Sequence, residues 1–418
     1  MNTNFSDLGL SEATLRALKR LHYQSPTEVQ ERAIPAALKQ RDLAIVAKTG
    51  TGKTASFALP LIERIEARKG KRPSALILSP TRELAQQIET VMISLAKTSG
   101  HRIATLVGGV SYGLQMKRLR YGVDILIATP GRLIDMIDRK AVSLHSIEML
   151  VLDEADRMMD MGFLPAMNRV VELTPDTRQT MLFSATMDRK VMGLVDNMVT
   201  DPLLIEVSHK GETADKVNQF YVPITQKRKD ELLATVLNER GTERVIVFAR
   251  TKNRSNICVE KLRNSGYRAE AIHSDRSQRE RRRALDSFRK GKIDILVATD
   301  VLARGIDVSD VEYVINYDLP DCADDYIHRI GRTGRAGKEG DAISFVSSDA
   351  RNALHEIEKL VGEQIPLLIV DGYNCEKEAA ALRSGKPRNG TKRQDGNKRS
   401  YGRSKKQFSK KNKSYAAK

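Results

Sequence analysis

The chain has 418 residues, 40% of them hydrophobic and 29% charged, with a formal net charge of +17. Its length exceeds what one hydrophobic core usually serves and predicts two domains; no apolar run approaches the ~18 residues of a membrane span, and residues 1–7 lack the basic and apolar segments of a secretory signal. A soluble protein follows as the expectation, and the scattered Cys258, Cys322 and Cys375, without metal-ligand spacing or a disulfide framework, place it in a reducing cytoplasm.

Two regions alternate short apolar strands with helical segments, the pattern of doubly wound parallel α/β sheets buried on both faces. The first holds candidate strands at 43–47, 75–78, 102–107, 124–128, 149–152 and 180–183; the second holds them at 244–249, 268–272, 294–298, 313–316 and 342–346. The hexapeptide Asp-Ile-Leu-Ile-Ala-Thr at 124–129 returns as Asp-Ile-Leu-Val-Ala-Thr at 294–299, in keeping with a duplication. Residues 1–33 form a region ahead of the first domain at 34–206, a polar stretch without periodicity at 207–217 reads as a linker, and the second domain covers 218–370.

The sharpest chemical signal follows the first strand: Ala47, Lys48, Thr49, Gly50, Thr51, Gly52, Lys53 and Thr54, with a helical segment immediately after. That is the context of a P-loop. The glycines let backbone N–H groups approach phosphate oxygens, Lys53 reaches the β and γ phosphates, and Thr54 can ligate magnesium. The strict pattern begins with glycine, and Ala47 stands in that place. The strand at 149–152 then delivers Asp153 and Glu154 at its carboxyl end, where open α/β sheets bind ligands. Asp153 is expected to hold Mg2+, directly or through water, and Glu154 to orient and deprotonate the water that attacks the γ-phosphate.

With Asp153, Glu154, Ala155 and Asp156 in sequence, residues 5–370 resemble the DEAD-box RNA helicases of superfamily 2, through an ordered set of motifs. The resemblance implies two tandem RecA-like domains, parallel sheets flanked by helices, using ATP and Mg2+ on RNA. Pro26, Thr27 and Gln30, with Tyr23 and Phe5 ahead, resemble the family's Q motif, in which Gln30 would read the adenine edge and Tyr23 stack on the ring; the family usually has glycine where His22 stands. Ser184, Ala185 and Thr186 match the motif coupling ATP to strand separation, and His328 would link the ATP and RNA sites. Gly305 and Asp307 would reach the nucleotide, and Arg332 and Arg335 would be arginine fingers, which can contribute roughly 10³ to 10⁵ in rate. Pro80, Thr81 and Arg82, Gly108 and Gly109, and Thr129, Pro130, Gly131 and Arg132 resemble the first domain's RNA contacts; Arg250, Gln278, Arg281, Thr299 and Asp300 resemble the second's. Such residues bind a phosphate chain without reading bases.

Residues 381–418 carry fourteen Lys or Arg against Asp395 alone, +13 in total, leaving only +4 for residues 1–380. With one Leu and no Ile or Val, this part cannot offset its ordering entropy, and 371–418 is expected to be a disordered basic tail, either RNA-binding, with Tyr401, Phe408 and Tyr415 placed to stack on unpaired bases, or simply solubilising. The short, basic-tailed layout resembles the RhlE-like bacterial subgroup, which implies a role in ribosome assembly or RNA turnover and a monomeric core. A DNA motor of the same superfamily and an ATP-gated RNA clamp that seldom unwinds are the competing readings. The first is distinguished by 2′-hydroxyl dependence.

Overall fold

The computed structural model describes residues 3–47, 50–67, 70–207, 217–300, 308, 311–334 and 339–384. Seven strands build a first sheet: β1 (Leu43–Ala47), β2 (Ala75–Leu78), β3 (Ile103–Leu106), β4 (Ile125–Ala128), β5 (Met149–Leu152), β6 (Gln179–Ser184) and β7 (Leu203–Val207). Six build a second: β8 (Val217–Pro223), β9 (Val245–Phe248), β10 (Ala269–Ile272), β11 (Ile295–Ala298), β12 (Tyr313–Asn316) and β13 (Gly340–Val346). The orders are β3-β4-β2-β5-β6-β1-β7 and β10-β11-β9-β12-β13-β8, and the strand pairs are parallel.

All eleven candidate strands are present, four with the expected ends and seven trimmed or extended by a residue or two. The two that sequence missed, β7 and β8, are the outer strands of their sheets. Half-covered, β7 alternates buried and exposed residues, while β8 mixes Asn218 and Gln219 with its apolar residues and ends in Pro223. Their signal is weaker for that reason.

Successive strand residues face opposite cores. In β2, Ala75 and Ile77 join the helices Lys53–Arg64 and Arg82–Leu95, whereas Leu76 and Leu78 join Pro130–Asp138, Leu164–Glu172 and Arg189–Met198. The expected separate region at 1–33 is not separate. Phe5, Leu8, Leu18, Val29 and Ile34 lie in the same core as β1, and the helix Glu28–Leu38 runs through the expected boundary. The tail boundary at 371 also moves. The helix Cys375–Ser384 buries Cys375, Ala379 and Leu382 against the second lobe, and Arg383 donates to the Tyr221 hydroxyl (3.2 Å) and Gln364 Oε1 (2.6 Å). Only residues 385–418 of the expected tail lie outside the described structure.

Sheet order sorts the motifs. Adjacent β5, β6 and β1 carry Asp153–Asp156, Ser184–Thr186 and the P-loop at their carboxyl ends, while adjacent β3, β4 and β2 carry Gly108–Gly109, Thr129–Arg132 and Pro80–Arg82. The second sheet repeats the division: β10, β11 and β9 lead to Gln278 and Arg281, Thr299 and Asp300, and Arg250, and β12 leads towards His328 and Arg332.

Candidate functional site

The P-loop turn uses glycine where geometry requires it. Gly50 and Gly52 have φ of 89° and 92°, in the left-handed region. Ala47 is the last residue of β1 and has no positive φ, so the missing first glycine costs nothing. The helix Lys53–Arg64 starts at the P-loop lysine itself, directing its N-terminal N–H groups at the turn. Thr54 lies in that first helical turn and is half-buried; Lys48 and Thr49 fall outside the described residues.

The Lys53 ammonium is buried and makes no hydrogen bond, although it lies close enough to Asp153 and Glu154 to lower the pKa of both. A buried cation without a hydrogen-bonding acceptor is costly, and phosphate oxygens are the acceptors this turn is shaped to hold. Burial, opposed by Lys53 and assisted by the neighbouring Glu154, pushes the Asp153 carboxyl up to about 7. A buried carboxylate with so high a proton affinity fits a divalent cation, which would hold it ionised. Thr54 and Asp153 are therefore a suitable donor set for Mg2+. Burial alone would also raise Glu154, but Arg157, Lys53 and His328 outweigh it and keep this carboxylate below its ordinary range. Its backbone is strained, at φ 52° and ψ 55°. Glu154 also accepts a 3.0 Å hydrogen bond from Arg157.

Gln30 is buried against the turn, donating to the Gly52 carbonyl (3.1 Å) and accepting from the Thr27 backbone N–H (3.0 Å); the Thr27 hydroxyl donates to the Thr51 carbonyl (2.7 Å). The Q-like motif thus braces the phosphate turn. Tyr23 packs edge-on against Phe5, with ring centroids 6.1 Å apart, and is only partly buried.

Asp156 ties the next strand to this site. Its Oδ2 accepts from the backbone N–H groups of Ala185 (3.0 Å) and Thr186 (3.2 Å) and lies 3.4 Å from the Thr186 hydroxyl, while the Ser184 hydroxyl accepts from the Thr186 N–H (3.3 Å). These bonds tie the Asp153–Asp156 segment to the end of β6. From the second lobe, His328 lies near enough to Glu154 to affect its charge, and Arg332 is buried, its Nε donating to the His328 carbonyl (3.2 Å). Gly305, Asp307 and Arg335 fall outside the described residues.

On the other half of both sheets, a cavity of about 450 Å³ is lined by Thr81, Arg82, Gly108, Gly131, Arg132 and Arg281, among others. Thr81 caps the helix Arg82–Leu95, accepting from the Leu84 N–H (3.3 Å), and Thr129 and Pro130 start the helix Pro130–Asp138. The Arg82 guanidinium fills the space beside the two glycines: a Cβ on Gly108 would stand 2.7 Å from Arg82 Nη2, and Gly109 adds a φ of 72°. A Cβ at Gly131 would meet nothing within 4 Å, so internal packing does not require that glycine. Burial, then Arg281, lower the Arg82 pKa, and Arg132 acts in the same direction. Three guanidiniums are thus held together against their own repulsion, an arrangement that suits a phosphate. Arg132 also stacks on the Tyr112 ring, 4.2 Å from its centroid.

The model of the DEAD/DEAH box helicase family matches residues 27–194, and that of the helicase conserved C-terminal domain matches 228–337. The ATP-dependent RNA helicase CshA of Limosilactobacillus reuteri is 43% identical over 356 residues, which are 85% of this chain and 71% of that protein. The chain belongs to the DEAD-box RNA helicases.

As a DEAD-box helicase it is an RNA-stimulated ATPase that uses ATP with Mg2+. The relatives carry the CshA name, and the RhlE-like assignment finds no support among them. Among solved structures, S. cerevisiae Dbp5 bound to RNA and ADP BeF3 superposes with a TM-score of 0.80 at 32% identity, covering 91% of this chain and 98% of that one. A DEAD-box protein of Methanococcus jannaschii, 37% identical and covering 88% of this chain and all of that one, reaches only 0.52. Higher identity with a lower score is what a different setting of the same two lobes produces. The setting of this chain's lobes is thus closer to that of the RNA- and nucleotide-bound Dbp5 than to that of the Methanococcus protein.

Three residues of this helicase escaped sequence reasoning. Glu83, inside a recognised motif but given no role, forms a 3.1 Å ion pair with Arg281 of the other lobe, both side chains about 5% exposed, beside a 3.3 Å bond from Gln278 to Gln86. Arg329 is fully buried and donates to both Asp300 oxygens (2.5 and 2.7 Å), Asn316 Oδ1 (3.1 Å) and the Asp318 carbonyl (2.6 Å). Lys229, also buried, pairs with Asp318 (2.9 Å). Asp300, expected among the RNA contacts, has its carboxylate paired with Arg329. Thr299 beside it is buried, and Arg250 is anchored through its backbone N–H to Asp318 (3.1 Å) while its side chain reaches outward. Among the described residues no helix is long and apolar enough to cross a membrane.

Proposed function

We propose that this helicase couples ATP hydrolysis to local separation of short RNA duplexes or remodelling of RNA–protein complexes, with sequence-independent core contacts, in cytoplasmic ribosome assembly or RNA turnover. Lys53 holds the β and γ phosphates, Gln30 and Tyr23 hold adenine with Phe5 behind, and Thr54 and Asp153 hold Mg2+. The metal supplies charge neutralisation on the phosphates. Glu154, kept ionised and fixed by its strained backbone, orients the attacking water and accepts its proton. Arg332, with Arg335, stabilises charge on the transferring phosphoryl group. Arg82, Arg132, Arg250 and Arg281 hold the RNA backbone.

The observation that supports this reading most is that a single setting of the lobes forms both half-sites: it brings His328 to Glu154 and Arg281 to Glu83. ATP and RNA then favour the same closed state, and each raises the affinity for the other. Steady-state ATP hydrolysis with single-stranded RNA, matched DNA or neither is the test. Stimulation by RNA alone is expected, with turnover lost in both Lys53→Ala and Glu154→Gln, but ATP affinity lost only in the first. Equal stimulation by DNA, or equal ATP affinity in the two variants, contradicts the reading.

A further inference from the structure

Charge on the two lobes is unevenly placed. Residues 276–292 contain eight Arg or Lys against Glu280 and Asp286, a net +6, so the rest of residues 1–380 carries a net −2. Most of this segment is the helix Gln278–Arg289, which buries Ala284, Leu285 and Phe288 beneath the second sheet and exposes the opposite face. On that face Arg279, Arg282 and Arg283, with Lys290 and Lys292 just beyond, line a shallow groove of about 420 Å³.

The two acids do not neutralise it. Glu280 accepts from the Ser277 backbone N–H (2.8 Å) and hydroxyl (2.7 Å) as part of the helix cap and lies 3.7 Å from Arg276; Asp286 lies 3.9 Å from Arg282. Among the described residues, the side chains of Arg279, Arg283, Lys290 and Lys292 have no ion-pair or hydrogen-bond partner, and all four are exposed. Like charges packed on one face destabilise a helix, and the pairs made by Glu280 and Asp286 offset only part of that cost.

The groove shares Arg282 and Asp286 with a cleft at the lobe junction. The same helix begins with Gln278 and Arg281 at the lobe junction and runs outward, so Arg279 and Lys290 are about 16 Å apart along its axis. That cleft, of about 570 Å³, is lined by Lys117, Arg118 and the exposed Tyr121 on one lobe and by Gln278, Arg282 and Arg289 on the other. We propose that this face of the second lobe is an additional RNA-backbone site, holding the part of the RNA that lies outside the inter-lobe cavity. It selects longer or duplex-flanked RNAs over a strand that only fills the clamp. This rests on the RNA-clamp reading above.

The test uses the full chain, as wild type and as Arg279→Gln/Arg283→Gln/Lys290→Gln/Lys292→Gln, so that residues 385–418 are common to both. RNA half-saturation of the ATPase is measured for a short single strand and for the same strand extended by a duplex arm or a single-stranded flank. The short strand is expected to give unchanged half-saturation and kcat. The extended RNAs are expected to need roughly tenfold more RNA in the variant at low salt, with the log–log salt slope reduced by about 3 to 4, as for four phosphate contacts. A larger loss with the duplex arm identifies a helical occupant, and one with the flank a single strand. No loss with either extended RNA overturns the proposal and leaves a solvated face or an acidic protein partner; an equal loss on the short strand overturns it by making these residues part of the clamp. Failure of the wild type to respond to the short strand would instead defeat the clamp reading itself.

Discussion

At Gly109 a backbone requirement and a close approach coincide. Its φ of 72° and the Arg82 guanidinium beside it leave no room for a Cβ. Gly109→Ala is therefore expected to strain the turn by about 1–2 kcal/mol and to push Arg82 out of the phosphate cavity. The loss of one charge-assisted contact, about 1.5–3 kcal/mol, raises RNA half-saturation about tenfold or more, while RNA-free ATPase stays near wild type. An unchanged half-saturation would remove Arg82 from the RNA site. A second residue titrates in a testable way. His273 is 2% exposed, with Nε2 2.9 Å from Asn256 Oδ1 and Nδ1 unpartnered; burial, then Arg276, hold its pKa below the ordinary value. Below about pH 6.5 the unfolded chain binds a proton that the folded one resists. Stability is thus lost as pH falls through that value and levels off once the folded imidazole also titrates. Thermal melts should show a larger fall in Tm between pH 7 and 5.5 for wild type than for His273→Gln, and parallel curves would show that this imidazole titrates normally.

The elements show what a sequence conveys and what it withholds. Strands such as β1, β2 and β5 are continuous apolar runs covered on both faces, and their ends were legible to the residue. The P-loop and the Asp153–Glu154 pair follow directly on β1 and β5, as the sequence pattern expected. The helix Cys375–Ser384 was not legible: its buried residues are only Cys375, Ala379 and Leu382, at the i, i+4, i+7 spacing of one helical face, in a stretch that runs directly into the basic segment. Composition averaged over the tail hid that spacing. Arg329 was hidden for another reason, since its partners come from Asp300, Asn316 and Asp318, which only tertiary structure brings together. The helix makes a prediction at its own scale. A chain ending at residue 370 uncovers Tyr221 and the Leu354–Ile357 cluster and should lose about 3 kcal/mol or more from apolar burial alone. A chain ending at 384 should melt with the full-length protein while binding RNA with a flatter salt dependence. Equal melting of both truncated proteins would show that the helix contributes nothing to the second lobe.

For the whole molecule, the question is what holds the lobes in the setting that completes both sites. The Glu83–Arg281 pair is the best candidate: it crosses the junction, is almost fully buried, and sits between the RNA cavity and the adjoining cleft. In an open state both groups would return to water, so the pair is formed only on closure, and its net value there is the attraction less the desolvation of both charges. Removing one partner leaves the other buried alone at about 3–5 kcal/mol, and Arg281 would then add to the repulsion already acting on Arg82 and Arg132. Glu83→Gln and Arg281→Gln should each shift a two-label distance measurement, made with RNA and a non-hydrolysable ATP analogue, towards separated lobes. The double variant should lose much less than the sum, because no charge is left unpaired. Both single variants should also raise half-saturation for ATP and RNA together, since the two ligands share one closed state. If the two effects simply add, the pair is incidental to closure, and the lobes are held by the ligands alone.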